Sequence, residues 1–129
     1  MKKCVLLIED NRRTVDVISQ ELKMLGYDVM VAMSGPEGIK MADDHSPDVI
    51  VMDIRMPKMD GLEAVSHIRK NPKTKSIPIL AATAKTLPGD KEKCLAGGCD
   101  GYLPKPFTHR QLGAAIEKLL RKQPGGATS

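Results

Sequence analysis

The stretch Val49-Ile50-Val51-Met52-Asp53-Ile54-Arg55-Met56-Pro57-Lys58-Met59-Asp60-Gly61 decides the fold. Its first four residues form an unbroken apolar run, stopped by Asp53. Such continuity suits a strand covered on both faces, as in a parallel sheet, whereas a half-solvated strand alternates. Asp60 and Glu63 then have the spacing of a helix-opening cap, and Leu62, Val65 and Ile68 give the following helix an apolar stripe. The stretch therefore reads as strand, loop and helix, with a carboxylate at the strand's carboxyl end.

The same unit recurs on both sides. Short apolar runs occupy Cys4–Ile8, Asp28–Ala32, 77–82 and 101–103, and the first and fourth of the five are again nearly continuous. Between them lie segments of helical period. Val15, Ile18, Leu22 and Leu25 make one stripe, which Gly26 ends. Ser34 with Glu37 and Thr108 with Gln111 have the capping-box spacing. A fourth helix is expected from near Pro88 to the Gly97-Gly98 pair, and Leu112, Ile116 and Leu119 mark the last. Five βα units in succession predict an α/β fold, a five-stranded parallel sheet with helices on both faces. The expected domain covers residues 1–122, and the Gly-rich segment 123–129 reads as a flexible tail or a truncated linker.

At 129 residues the chain fits one domain. Tyr27, Tyr102 and Phe107 are its only aromatic residues, so its core is aliphatic and stacking on bases or a flavin is poorly supplied. The formal charge of +4 is spread along the chain, with only Lys118, Arg121 and Lys122 clustered. That distribution argues against direct nucleic-acid binding and for a mild preference for acidic protein partners. Cys4, Cys94 and Cys99 lack zinc or thioredoxin spacing and suit small buried hydrophobes in a reducing, cytoplasmic compartment. His45, His67 and His109 are far apart in polar contexts. The apolar run after Met1-Lys2-Lys3 is too short for a signal peptide or membrane span.

The polar residues gather where the strands end. The first strand is followed by Glu9-Asp10, the third by Asp53, the fourth by Thr83 and the fifth by Lys105-Pro106, while the second ends in Ala32-Met33. In open parallel sheets, ligands bind at the carboxyl ends, where the strand order reverses. The pattern fits the order 2-1-3-4-5, in which the second strand is an edge. Three clustered carboxylates call for a cation, and hard oxygen ligands favour Mg²⁺. Thr83 and Lys105 suit a phosphate oxygen, so the set points to phosphoryl transfer with Asp53 as nucleophile. Singly, each residue has a plainer reading: Asp10 as a helix cap, Thr83 as a strand residue, Lys105 as a surface charge.

The stretches "LLIEDN" (6–11), "VIVMDIRMPKMDG" (49–61), "LAATA" (80–84) and "GCDGYLPKPF" (98–107) together resemble the receiver domains of two-component response regulators, of the chemotaxis-receiver kind. The resemblance runs over nearly the whole chain and implies the flavodoxin-like (βα)5 three-layer sandwich. It implies that Asp53 accepts a phosphoryl group from a histidine kinase or histidine phosphotransfer protein. Glu9, Asp10, Asp53 and the backbone carbonyl of Arg55 would hold Mg²⁺, Thr83 would be the switch hydroxyl, and Lys105 would meet the phosphate. It also implies a cis Lys105-Pro106 bond, and a Tyr102 ring that turns inward on activation, into space left by Thr83 beside the small Ala84. The downstream target would then meet the fourth helix, fifth strand and fifth helix, and homodimerisation on phosphorylation is allowed.

Such a switch is not an enzyme beyond its own phosphorylation and dephosphorylation. An aspartate-nucleophile phosphatase needs an acid two residues after the nucleophile, where Arg55 stands. A flavin module lacks its phosphate-cradling loop. The complete residue set argues against a degenerate receiver serving as a static interaction module. The tail leaves open a receiver cut from a larger regulator with an output domain. Arg55 and Lys85, two residues after Asp53 and Thr83, either flank and shield the phosphoryl group or are solvated charges.

Overall fold

Val5, Leu6, Leu7 and Ile8 are all buried, because their strand is covered on both faces. A computed structural model, describing residues 2–56, 59–83 and 88–121, shows the cause. Strands β1 (Cys4–Ile8), β2 (Asp28–Ala32), β3 (Val49–Asp53), β4 (Ile79–Thr83) and β5 (Gly101–Pro104) form one parallel sheet in the order β2-β1-β3-β4-β5. Helices α1 (Arg12–Met24), α2 (Gly35–His45), α3 (Gly61–Lys70), α4 (Asp90–Ala96) and α5 (His109–Arg121) alternate with them. The expected order and layering are both present.

Successive strand residues face opposite layers. Leu6, Ile8, Ile50, Met52, Ile79 and Ala81 pack with Ala42 of α2, Val65 and Ile68 of α3, and Cys94 of α4. Val5, Leu7, Val49, Val51, Leu80 and Ala82 pack with Val15, Ile18 and Leu22 of α1 and with Leu112, Ile116 and Leu119 of α5. β2 is the half-covered edge, in keeping with its plain carboxyl end.

Local chemistry sets the helix ends. Asn11, not Asp10, caps α1, its side chain accepting from Thr14 N at 3.0 Å. Asp10 is thereby left for another task. Thr108 and Gln111 form the full reciprocal box, at 3.0 and 2.8 Å. In the box before α2, Glu37 reaches back to Met33 N instead of the cap residue. Leu25 serves as the C-cap of α1, and Gly26 follows with φ 96°, the left-handed region where glycine is unstrained.

β4 starts at Ile79, two residues later than its apolar run. Pro78 has no N–H, and Ile77 N donates into a turn, to Thr74 O at 3.0 Å. Both β3 and β4 run one residue further than expected, so Asp53 and Thr83 belong to the strands that present them. Arg69 on α3 fastens the opposite end of the sheet. It donates to Gly98 O, Lys75 O and Ile77 O and pairs with Asp100, all at 2.7–3.0 Å.

Candidate functional site

β1 and β3 are adjacent, with Ile8 paired to Met52, so the residues that follow each meet at one rim. Glu9, Asp10 and Asp53 converge there, one ligand oxygen of each lying within 4.8 Å of the others. Glu9 is buried, with 2 % of its surface exposed, and its neighbours hold it firmly. Its Oε1 accepts from Lys105 Nζ at 2.7 Å and its Oε2 from Asn11 N at 3.1 Å. Asp53 is buried as well, and its Oδ1 accepts from Arg55 N at 3.1 Å.

Burial pushes the Asp53 carboxyl up to about 6, and the negative charge of Glu9 beside it adds to the rise. Lys105 and the Arg55 amide act in the other direction without cancelling it. A buried carboxylate beside another is short of positive charge. One ammonium cannot balance three acids, and a hard cation with oxygen ligands can. The donor set therefore fits a divalent metal ion.

Lys105 enters from the loop after β5. Its backbone N donates to Thr83 O at 2.8 Å, and the Lys105-Pro106 bond is cis, as the resemblance implies. Thr83 is buried at the end of β4, one residue beyond the Asp53–Ala82 pair of the β3–β4 ladder. It lines a cavity of about 490 Å³ together with Arg55, Asp60, Leu62, Asp90 and Cys94. Tyr102 pairs with Ala81 in β5 and packs on the same apolar layer as Met56 and Cys94. Its hydroxyl is buried and has no hydrogen-bond partner among the described residues. Every candidate from Glu9 to Lys105 thus lies at the carboxyl end of the sheet or on the strand beside it. Ala84, Lys85 and the tail 123–129 lie outside the described residues.

Three features escape a reading of the chain alone. The Arg55 guanidinium pairs with Asp90 at 2.9 Å, reaching the first residue of α4. Lys105 closes on Glu9 across 96 positions. Gly61 comes so near the β3–α3 loop that a Cβ there would lie 2.6 Å from Ile54 Cα and 2.8 Å from Asp53 O. Gly61 N donates to Ile54 O at 2.8 Å, which closes the loop under Asp53. The Asp60-Gly61 pair is thus more than a helix start, and a glycine directly after a capping aspartate was its one signal.

The family model described as "Response regulator receiver domain" matches residues 5–117. The chain belongs to the response regulator receiver family. Among curated relatives, the polar-differentiation response regulator DivK of Brucella ovis is 34% identical over 120 residues, covering 93% of this chain and 98% of DivK. The alkaline phosphatase synthesis transcriptional regulatory protein PhoP of Bacillus subtilis is 36% identical over 129 residues, and the chain spans about half (53%) of its length. The crystallised receiver domain of sensor histidine kinase PA1611 from Pseudomonas aeruginosa is 36% identical, with a TM-score of 0.83. That alignment covers 97% of this chain and 99% of the other, whose active-site cleft holds a magnesium ion. This receiver is accordingly a module of two-component signalling with the flavodoxin-like architecture. No helix among its described residues is long and apolar enough to cross a membrane.

Proposed function

We propose that this receiver accepts a phosphoryl group on Asp53 from the phosphohistidine of a histidine kinase or phosphotransfer protein, and works in the cytoplasm. The observation that carries the reading is the convergence of Glu9, Asp10 and Asp53 within one ligand sphere, with Lys105 closed on its edge. Glu9, Asp10, Asp53 and the Arg55 carbonyl would hold Mg²⁺, whose chemistry is to neutralise the oxygens of the transferring phosphoryl group.

This chain's own residues do the rest. An Asp53 oxygen attacks phosphorus, the bond to the donor imidazole nitrogen breaks, and that nitrogen keeps the electron pair. Arg55 N orients the carboxylate through its bond to Oδ1. Lys105 is a mobile point charge that can exchange part of its contact with Glu9 for a phosphate oxygen. The Thr83 hydroxyl, beside the cavity, is placed to follow.

The output is conformational. Nearly two new negative charges give Thr83 and Lys105 partners they have only in the phosphorylated state, biasing a two-state equilibrium. The readout face is α4, β5 and α5, where Lys91, Leu95, Tyr102 and Lys118 surround a groove of about 350 Å³. Two lysines against a single acid, Asp100, which Arg69 already pairs, leave the largely apolar lining suited to an acidic partner segment with an apolar anchor, and a second copy of the domain is the other occupant. The only chemistry is the domain's own phosphorylation and hydrolysis.

Borohydride trapping tests the assignment of the site. Reduction of an aspartyl phosphate and peptide mapping are expected to place the modified residue at position 53. A modified residue anywhere else contradicts the reading.

A further inference from the structure

Cys94 and Cys99 flank the turn that ends α4, in a motif that brings their side chains together. Gly98 turns the chain at φ 113°, and its N–H donates to Leu95 O at 3.2 Å. Around that bond, Cys99 N donates to Cys94 O at 3.0 Å. These are the nested bonds of a Schellman cap, in which the two residues of the outer bond pack on each other. A direct N–H···O bond also keeps the Cα atoms of its residues within about 7 Å, the limit for bridging two cysteines. The thiols are hydrogen-bonded to each other, which favours thiolate on Cys94 and keeps the proton on Cys99. Both are buried in one apolar layer.

The two sulfurs differ in access. Cys94 lines the cavity of about 490 Å³ with Thr83 and Lys93, so a small solute there can meet its side chain, whereas Cys99 is outside that lining. Burial pushes both thiols up, Cys99 to about 12, so thiolate is scarce and neither is a fast nucleophile. Cys4 is no competitor for the bridge. It lies in β1, and β3 and β4 stand between it and β5, a span of about 14 Å at ordinary strand spacing.

We propose that Cys94 and Cys99 are an oxidisable pair, in which Cys94 meets a peroxide entering the cavity and Cys99 resolves the product as a disulfide. The Cys94 thiolate attacks one peroxide oxygen, the O–O bond breaks, and the departing oxygen takes up a proton and leaves as water. Cys94 is then a sulfenic acid. The Cys99 sulfur attacks Cys94 Sγ, the S–O bond breaks, and the hydroxyl leaves as water with the Cys99 proton. The peroxide takes the two electrons that the thiols lose. Scarce thiolate makes the first step slow, so the pair answers sustained peroxide and ignores brief exposure. A reversible disulfide of this kind is the form that redox sensing takes in a reducing compartment. It would fasten the end of α4 to the segment entering β5, two elements of the surface proposed for readout. The chemistry of the pair is independent of Asp53.

The sequence supplies a clean readout, because the tryptic segment from Cys94 to Arg110 holds both cysteines and no methionine. The folded chain is kept overnight in excess hydrogen peroxide, its free thiols are blocked with N-ethylmaleimide in denaturant, and that segment is weighed. The expected product carries no label and is lighter than the dithiol form by two hydrogen atoms, and dithiothreitol should restore two labelling sites. Cys99→Ala, treated with dimedone present, should carry the adduct on Cys94. Cys94→Ala should keep its Cys99 thiol under conditions that convert the parent. A parent segment that stays fully labelled, gains oxygen without losing hydrogen, or is joined to Cys4 or to a second chain overturns the pair. No dimedone adduct in Cys99→Ala, or Cys99 oxidised in Cys94→Ala as fast as in the parent, overturns the assigned order of attack.

Discussion

Lys105 Nζ lies 2.7 Å from Glu9 Oε1, so the loop after β5 is tied to the end of β1 through a nearly buried ion pair. The pair holds Lys105 beside the acidic cluster. It also brings a side-chain cation into direct contact with the acidic cluster.

Lys105→Met should therefore act on stability as well as on signalling. Removing one partner of a buried pair leaves the other charge uncompensated, at a cost of about 3 kcal/mol. Urea unfolding without Mg²⁺ is expected to show that loss. Saturating Mg²⁺ should recover much of it, because a dication can neutralise Glu9 in place of the ammonium. An equal loss with and without metal would show that Glu9 does not belong to the metal site.

Asp53 sets a pH dependence of definite sign. Its folded carboxyl is raised to about 6 from an ordinary 3.8, so the native state binds the proton more tightly than the unfolded state. The stabilisation is fully present below about 4 and is lost as pH rises through about 6. At roughly 1.4 kcal/mol per unit, the loss approaches about 3 kcal/mol for the metal-free protein near neutrality. Asp53→Asn is expected to remove this slope, making the variant more stable than the parent at pH 7.5 without Mg²⁺ and equal to it near pH 4. Parallel stability profiles for the two proteins would refute the assignment.

Gly61→Ala should damage the site from beneath. The added Cβ meets backbone atoms of Ile54 and Asp53, which cannot swing aside as a flexible side chain would. Overpacking of this kind costs about 1–3 kcal/mol. Calorimetry should show that loss together with weaker Mg²⁺ binding, since the loop that carries Arg55 must shift. Unchanged metal affinity would mean that the close approach is structural alone.

At the other end of the sheet, Arg69→Lys should fail to replace arginine. The guanidinium contacts three carbonyls and Asp100 at once, a geometry an ammonium cannot match. A loss of about 2 kcal/mol is expected on thermal unfolding, with Mg²⁺ affinity unchanged. A fall in metal affinity would instead connect this network to the acidic site.

Much of this was legible in the chain. The continuous run before Asp53 and the bland end of β2 followed from burial, so the sheet order and the convergence of Glu9, Asp10, Asp53, Thr83 and Lys105 could be anticipated. What the chain hid depends on distance in sequence. Arg55 and Asp90 are 35 positions apart, and Lys105 and Glu9 are 96 apart, so no periodicity marks either pair. β4 starts later than its apolar run because hydrophobicity at Ile77 reports burial, whereas pairing depends on where the N–H groups point. The pairing of Arg55 with Asp90 is likewise a contact that no spacing in the chain marks.

Asp53 is proposed to take the phosphoryl group in a metal-dependent reaction. Intact-mass spectrometry after incubation with acetyl phosphate tests it most directly. The parent should gain the mass of a single phosphoryl group with Mg²⁺ present, and remain unmodified with EDTA. Asp53→Asn should remain unmodified under both conditions. A parent that is never modified, or an Asp53→Asn protein that gains the same mass, would contradict the account.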